Sequence, residues 1–267
     1  MTASTMRPRV ALSRTEVRLM AGTSTLWAGC LITVALCTVW SRGAGFRWTA
    51  FGANSGRASL FLAGVLVLVG HLATSRDHRH GAAEFTRTLP TPPRRRMLAL
   101  LALIPAAGVA GALAEGAELL ILLPSRPAGT LQPWLLAVPV LAPMIGAALG
   151  VAAGLWWPST AGGPLTLFAA TAVLAMLPVL GSGPGDLPWL LFPVPVDRST
   201  TTAAAAWHVL YLLAVLAVVV GAALVRHWRL WAALIVAIAL AAAATAIHRQ
   251  QAEQPTATAE QAAVGRR

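Results

Sequence analysis

Apolar positions along this chain gather into long unbroken blocks, separated by short polar segments, with little alternation inside each block. Seven blocks stand out, at roughly 22–41, 58–74, 97–117, 134–156, 164–181, 205–225 and 228–247. Each comes near or exceeds the ~20 residues that carry a helix across a bilayer, and the second and fifth lie near the lower limit of about 17. The pattern predicts an all-α, polytopic integral membrane protein with seven spans.

The segments between the blocks carry their own patterns. Residues 1–21 form an arm in which "VALSRTEVRLM" (10–20) places Val10, Leu12, Val17, Leu19 and Met20 on one side and Arg14, Glu16 and Arg18 on the other. That division predicts a short helix lying in the membrane interface. Residues 22–247 form the transmembrane domain. Within it, 75–96 is a basic loop. The loop at 182–204 contains "LPWLLFPVP", which is apolar, proline-broken and too short to span; it predicts a re-entrant or interfacial element. Residues 248–267, rich in Gln, Ala, Thr and Glu, have too little apolar surface to fold alone and are expected to be a disordered tail. The first block is long enough to span and lacks a clear A-x-A exit, so it does not read as a cleaved signal.

Composition agrees. Hydrophobic residues make up 57% of the chain and charged residues 11%, against about 25% charged in soluble domains. The net charge is +11, and all 20 basic residues are arginine. In a membrane chain such an excess records orientation rather than nucleic-acid binding. With the N-terminus in the cytoplasm of a multi-pass cell-membrane protein, twelve arginines fall inside: Arg7, Arg9, Arg14 and Arg18 in the arm, six in the loop at 75–96, and Arg226 and Arg229 after span six. Eight fall outside.

Much chemistry is excluded. Without lysine there is no G-x-x-x-x-G-K-[ST] phosphate loop and no Schiff base. There is no G-x-S-x-G or H-E-x-x-H motif either. No cofactor or metal is expected. Cys30 and Cys37 sit on one face of span one and read as small packing residues. His78 and His80 lack a nearby third ligand and read as solvated, and His208 reads as an interfacial hydrogen-bonder. Gly146, Gly150 and Gly154, at i, i+4, i+8 in span four, clear one helix face for close packing, within the chain or between protomers. Glu115 and Glu118, at i, i+3 in span three, leave two readings. Buried acids mark ion or substrate pathways. The alternative, favoured by the shortness of "LLILLP" after them, is that the span ends there and both face water.

The basic loop, "HRHGAAEFTRTLPTPPRRR" (78–96), changes the picture most. Asp77 can cap a helix from about His78 to Leu89, with Glu84 and Arg87 paired and Phe85 and Leu89 on an apolar edge. Pro90, Pro92 and Pro93 would stop it, and Arg94, Arg95 and Arg96 would anchor span three at anionic headgroups. A docking element for a soluble partner and a plain topology signal both fit. The segment resembles the cytoplasmic loop of permease subunits of actinobacterial ATP-binding-cassette (ABC) exporters, of the form R-x-H-R-H-G-x-x-E-L-x-x-x-L-P followed by a basic run. The matching residues are Arg76, His78, Arg79, His80, Gly81, Glu84, Leu89, Pro90 and Arg94 to Arg96; Phe85 stands where leucine is common. The arm is similar to that family's elbow helix, and the broken loop at 186–195 to its outer re-entrant helices.

This resemblance, extending to about residue 226, implies a six-helix permease core to which the last span is an addition. It also implies a homodimer or heterodimer with a second permease, and an ABC ATPase subunit docked at Asp77, Gly81, Glu84, Phe85 and Leu89. ATP would bind the partner. The competing readings are a membrane-embedded enzyme using Glu115 and Glu118 with His208, and a non-transporting anchor or immunity protein.

Overall fold

A computed structural model describes residues 6–42, 46–79, 81, 92–180, 187–194, 201–225 and 228–264. Among these there is no strand, and seven helical segments are long and apolar enough to cross a membrane. The protein is an all-α polytopic membrane protein.

The elements are α1 (Met6–Ala21), α2 (Ser24–Ser41), α3 (Trp48–Arg79), α4 (Pro93–Leu101), α5 (Leu103–Leu122), α6 (Val138–Trp156), α7 (Gly162–Leu180), α8 (Leu187–Leu190), α9 (Thr202–Leu224) and α10 (Arg229–Val264). The third span is α4 and α5 together. Pro105 explains the break at Ala102: it has no N–H to bond the carbonyl of Leu101, and its ring crowds that carbonyl.

Helix α6 is the hub. Two glycine faces let its neighbours close on it. Gly146 and Gly150 meet the backbone of α3 at Ala63 and Val67, and Gly154 meets Thr74. On its other flank, Gly108 and Gly111 of α5 face Met144, Pro139 and Pro143. The stripe expected to serve packing therefore works within the chain. One core cluster unites Met20, Leu26, Leu62, Leu66, Leu103 and Val151. A second joins Val138, Leu141, Val194, Val209, Leu212 and Ala246. By contrast α7 is hardly covered, with 6% of its apolar window buried.

Four expectations change. Span two, expected at 58–74, is the 32-residue α3 and starts ten residues earlier. At 1.5 Å per residue it is about 48 Å long, well beyond a ~30 Å hydrocarbon core. Span three, expected to end near 117, runs to Leu122. The tail expected to be disordered continues the last helix as far as Val264. In α1 Glu16 belongs to the packed face, not the polar one: it is buried, while Leu19 is half exposed. Its carboxylate accepts a hydrogen bond from Arg76 of α3 at 2.9 Å, which offsets the cost of burying it.

The loop before α9 bears out its apolar character over its described part. Leu190 and Val194 are buried, Tyr211 donates to the Leu191 carbonyl at 2.9 Å and His208 to the Pro193 carbonyl at 3.0 Å. Residues 187–194 thus tuck back against α9.

Candidate functional site

Two regions concentrate polar chemistry, at opposite ends of the bundle. The first is the basic side, where α1, the end of α3 and the start of α4 converge. The Glu16–Arg76 pair ties α1 to α3. Asp77 lies inside α3, 3.9 Å from Arg96 at the start of α4. It is not the cap of a new helix at His78, because α3 continues through Arg79. Uninterrupted i→i−4 bonding leaves no free N–H groups there for a cap to satisfy. Gly81 follows with φ +66° and donates its N–H to the His78 carbonyl at 3.2 Å. That left-handed conformation suits glycine and ends the helix.

Glu84, Phe85 and Leu89 lie outside the described residues. Arg94 stands over the ring of Trp228 at 5.8 Å, tying α4 to the start of α10. Such a contact is worth about 0.5–1 kcal/mol when exposed. Arg95 and Arg96 are partly buried beside it. On the same side His71 of α3 is buried and donates to the Ser159 carbonyl at 2.9 Å, with Gly162 and Gly163 against its ring. Trp156 donates to the Ala222 carbonyl at 3.0 Å, joining the ends of α6 and α9.

The second region lies toward the far side. Glu115 and Glu118 are buried, at 7% and 1% exposure. They do not face water, contrary to the reading that placed the end of the span at 117. Ser55 of α3 donates to Glu118 Oε2. Cys37 of α2 lies beside Glu118 and sits 3.9 Å from Ser41. Asn54 donates to Ser41 Oγ at 3.1 Å. Three helices thus each turn a polar stripe inward at the same level. Around it Phe51, Leu122 and Ala58 form a small core with Trp48, Leu119 and Leu136. Trp48 packs edge-on against Phe51 and Phe46, with ring centroids 5.8 and 6.2 Å apart.

The glutamates were found in the sequence as a pair, but their partners were not. Ser41, Asn54 and Ser55 carry no motif. The available signal was the run of polar residues, Asn54, Ser55 and Arg57, just ahead of an apolar block.

An apolar cleft of about 420 Å³ separates α1, α2 and α5. Ala114 and Ala117 line it, whereas the adjoining glutamates turn away from it. His208 packs against the Tyr211 ring, with centroids 5.9 Å apart, and bonds the Pro193 carbonyl rather than either glutamate. Among the described residues no group of three or more His, Cys, Asp or Glu could hold a metal ion. No protein-family model, curated protein or solved structure matches the chain.

Proposed function

We propose that this chain is the membrane-spanning permease subunit of an ABC transporter, an exporter, seated in the cell membrane with its N-terminus in the cytoplasm. It works as half of a permease pair, and a separate ATPase subunit docks on the loop after α3. The observation that carries this reading is the convergence at the basic side. The arm, the end of α3 and the start of α4 are cross-tied by Glu16–Arg76 and Asp77–Arg96. The described residues that flank the loop are therefore tied to each other and to the arm.

A push on that loop has a direct route inward. Helix α3 runs unbroken from Arg79 to Trp48 and is locked against α6 by backbone-to-backbone contact at Gly146 and Gly150. A rigid rod gripped along its length moves with its neighbour rather than bending. The absence of any lysine fits a subunit that draws its energy from a partner. The uncovered faces of α7 leave room for lipid or for a second permease.

The enzyme reading loses its third residue, because His208 bonds the Pro193 carbonyl and packs on Tyr211. The test is purification of the tagged chain from its native membranes. An ABC ATPase is expected to accompany it. Phe85→Ala removes an apolar anchor that typically supplies about 2 kcal/mol, which corresponds to roughly 30-fold weaker association. Arg94–Arg96 changed to glutamine should disturb insertion instead. Full ATPase retention and transport in both Phe85→Ala and Glu84→Ala would reduce the loop to a topology signal.

A further inference from the structure

We propose that Glu115 and Glu118 share a bound proton, and that the proton exchanges through Cys37 and Ser41 with water that reaches half-buried Asn54 on the far side. This goes beyond the permease reading and stands without it.

The pair is more than two acids in sequence. Each carboxyl keeps one oxygen, Oε1, shielded from solvent and without a hydrogen-bond partner, and so does Thr33 Oγ1, one helical turn from Cys37 on the same face of α2. Buried polar atoms almost always find partners. Two orphaned oxygens on neighbouring buried carboxyls call for a positive charge or a proton. Two ionised carboxylates side by side in a dry bundle would repel each other and each would lose its hydration.

No basic side chain supplies the charge. Among the described residues neither glutamate has an ion-pair partner. At this level helix α2 contributes only the Cys37 thiol, and Arg42 and Arg47, between α2 and α3, are exposed. Helix α6 carries no ionisable residue, and the arginine of α3 nearest in sequence, Arg57, is exposed. Arg126, beyond the end of α5, is exposed too. His71, Arg76, Asp77, His78 and Arg79 of α3 lie at the opposite end. So do Arg14, Glu16 and Arg18 of α1 and Arg94 to Arg96 of α4. A metal ion fits poorly: a hard cation needs several converging oxygens, and a thiol occupies one side here. A proton needs only the two carboxyls.

The access route follows from the contacts. The aromatic cluster of Phe46, Trp48 and Phe51 flanks the glutamates with apolar surface. Beside it runs a polar chain: half-buried Asn54, Ser41, Cys37, then Glu118 and Ser55. Each member other than Asn54 can both give and accept a proton.

Infrared spectra of the purified protein in lipid vesicles read this directly. At neutral pH a protonated-carboxyl stretch is expected, fading as the pH is raised. The chain has nine Asp and Glu residues in all, so Glu115→Gln/Glu118→Gln should remove the band and assign it. If the double variant does not fold, Ser55→Ala carries the assignment: it deletes only the bond to Glu118 and must shift the band. Asn54→Leu and Cys37→Ala should slow the deuterium shift of that band about tenfold or more. No carboxylic-acid band at neutral pH, or a band lost on adding sodium at constant pH, would overturn the proton site. Unchanged exchange in both route variants would overturn the route.

Discussion

Replacing Gly150 by alanine tests how the bundle is held together. A Cβ at this position would collide with the carbonyl oxygen of Val67 and come within 3.0 Å of the His71 nitrogen. Both belong to the backbone of α3, so no side chain can swing aside; α3 and α6 must part. Overpacking of this kind costs about 1–3 kcal/mol. Against it stands the better helix propensity of alanine, about 0.5–1 kcal/mol. The net loss is about 1–2 kcal/mol, a factor of roughly 5–30 in the folding equilibrium.

Gly116 on α5 supplies the control. A Cβ there meets nothing within 4 Å, so Gly116→Ala keeps the propensity gain without the collision. The two variants should separate by about 2 kcal/mol. Titration of each with a denaturing detergent in mixed micelles, followed by far-ultraviolet circular dichroism, measures the difference. Equal stability of the two variants would refute the claim that α3 and α6 touch through their backbones.

Other expectations follow from single contacts and from charge. Thr201 caps α9 by accepting from the Ala204 N–H at 3.1 Å; Thr201→Ala should cost about 1 kcal/mol in the same titration, and no loss would remove the cap from the account. Reporter fusions after residues 20, 86 and 255 should read inside, inside and outside, and an inside reading at 255 would contradict seven spans. The purified chain should not hydrolyse ATP, and robust hydrolysis free of contaminating ATPase would overturn the assignment of ATP binding to a partner.

The spans themselves were legible because hydropathy registers any stretch of apolar side chains, whatever its neighbours. The two boundaries read too short share one cause. Asn54, Ser55 and Arg57 broke the pattern at the start of α3, and Glu115 and Glu118 broke it near the end of α5. Each set taken alone looks like a membrane exit. In the folded chain Ser55 bonds Glu118, so two polar interruptions meet each other inside the bundle. Pairing of that kind links residues 63 positions apart, which no local pattern encodes. Glu16 misled for the same reason: its partner, Arg76, lies 60 positions away. The glycine stripe was legible as a packing face, but its partner was not, since small residues announce a close approach without naming the helix that makes it. At the basic side, Asp77 before a histidine-rich loop looked like a cap, whereas it lies within α3, which continues through Arg79.

We propose above that an ATPase subunit seats on the loop between α3 and α4. A photo-reactive amino acid placed at Phe85 in living cells tests it most directly, with one at Phe168, on the uncovered face of α7, as the comparison. A Phe85 adduct containing an ABC ATPase subunit is expected, and no such adduct from Phe168. A Phe85 probe in stably inserted protein that captures no ATPase would contradict it.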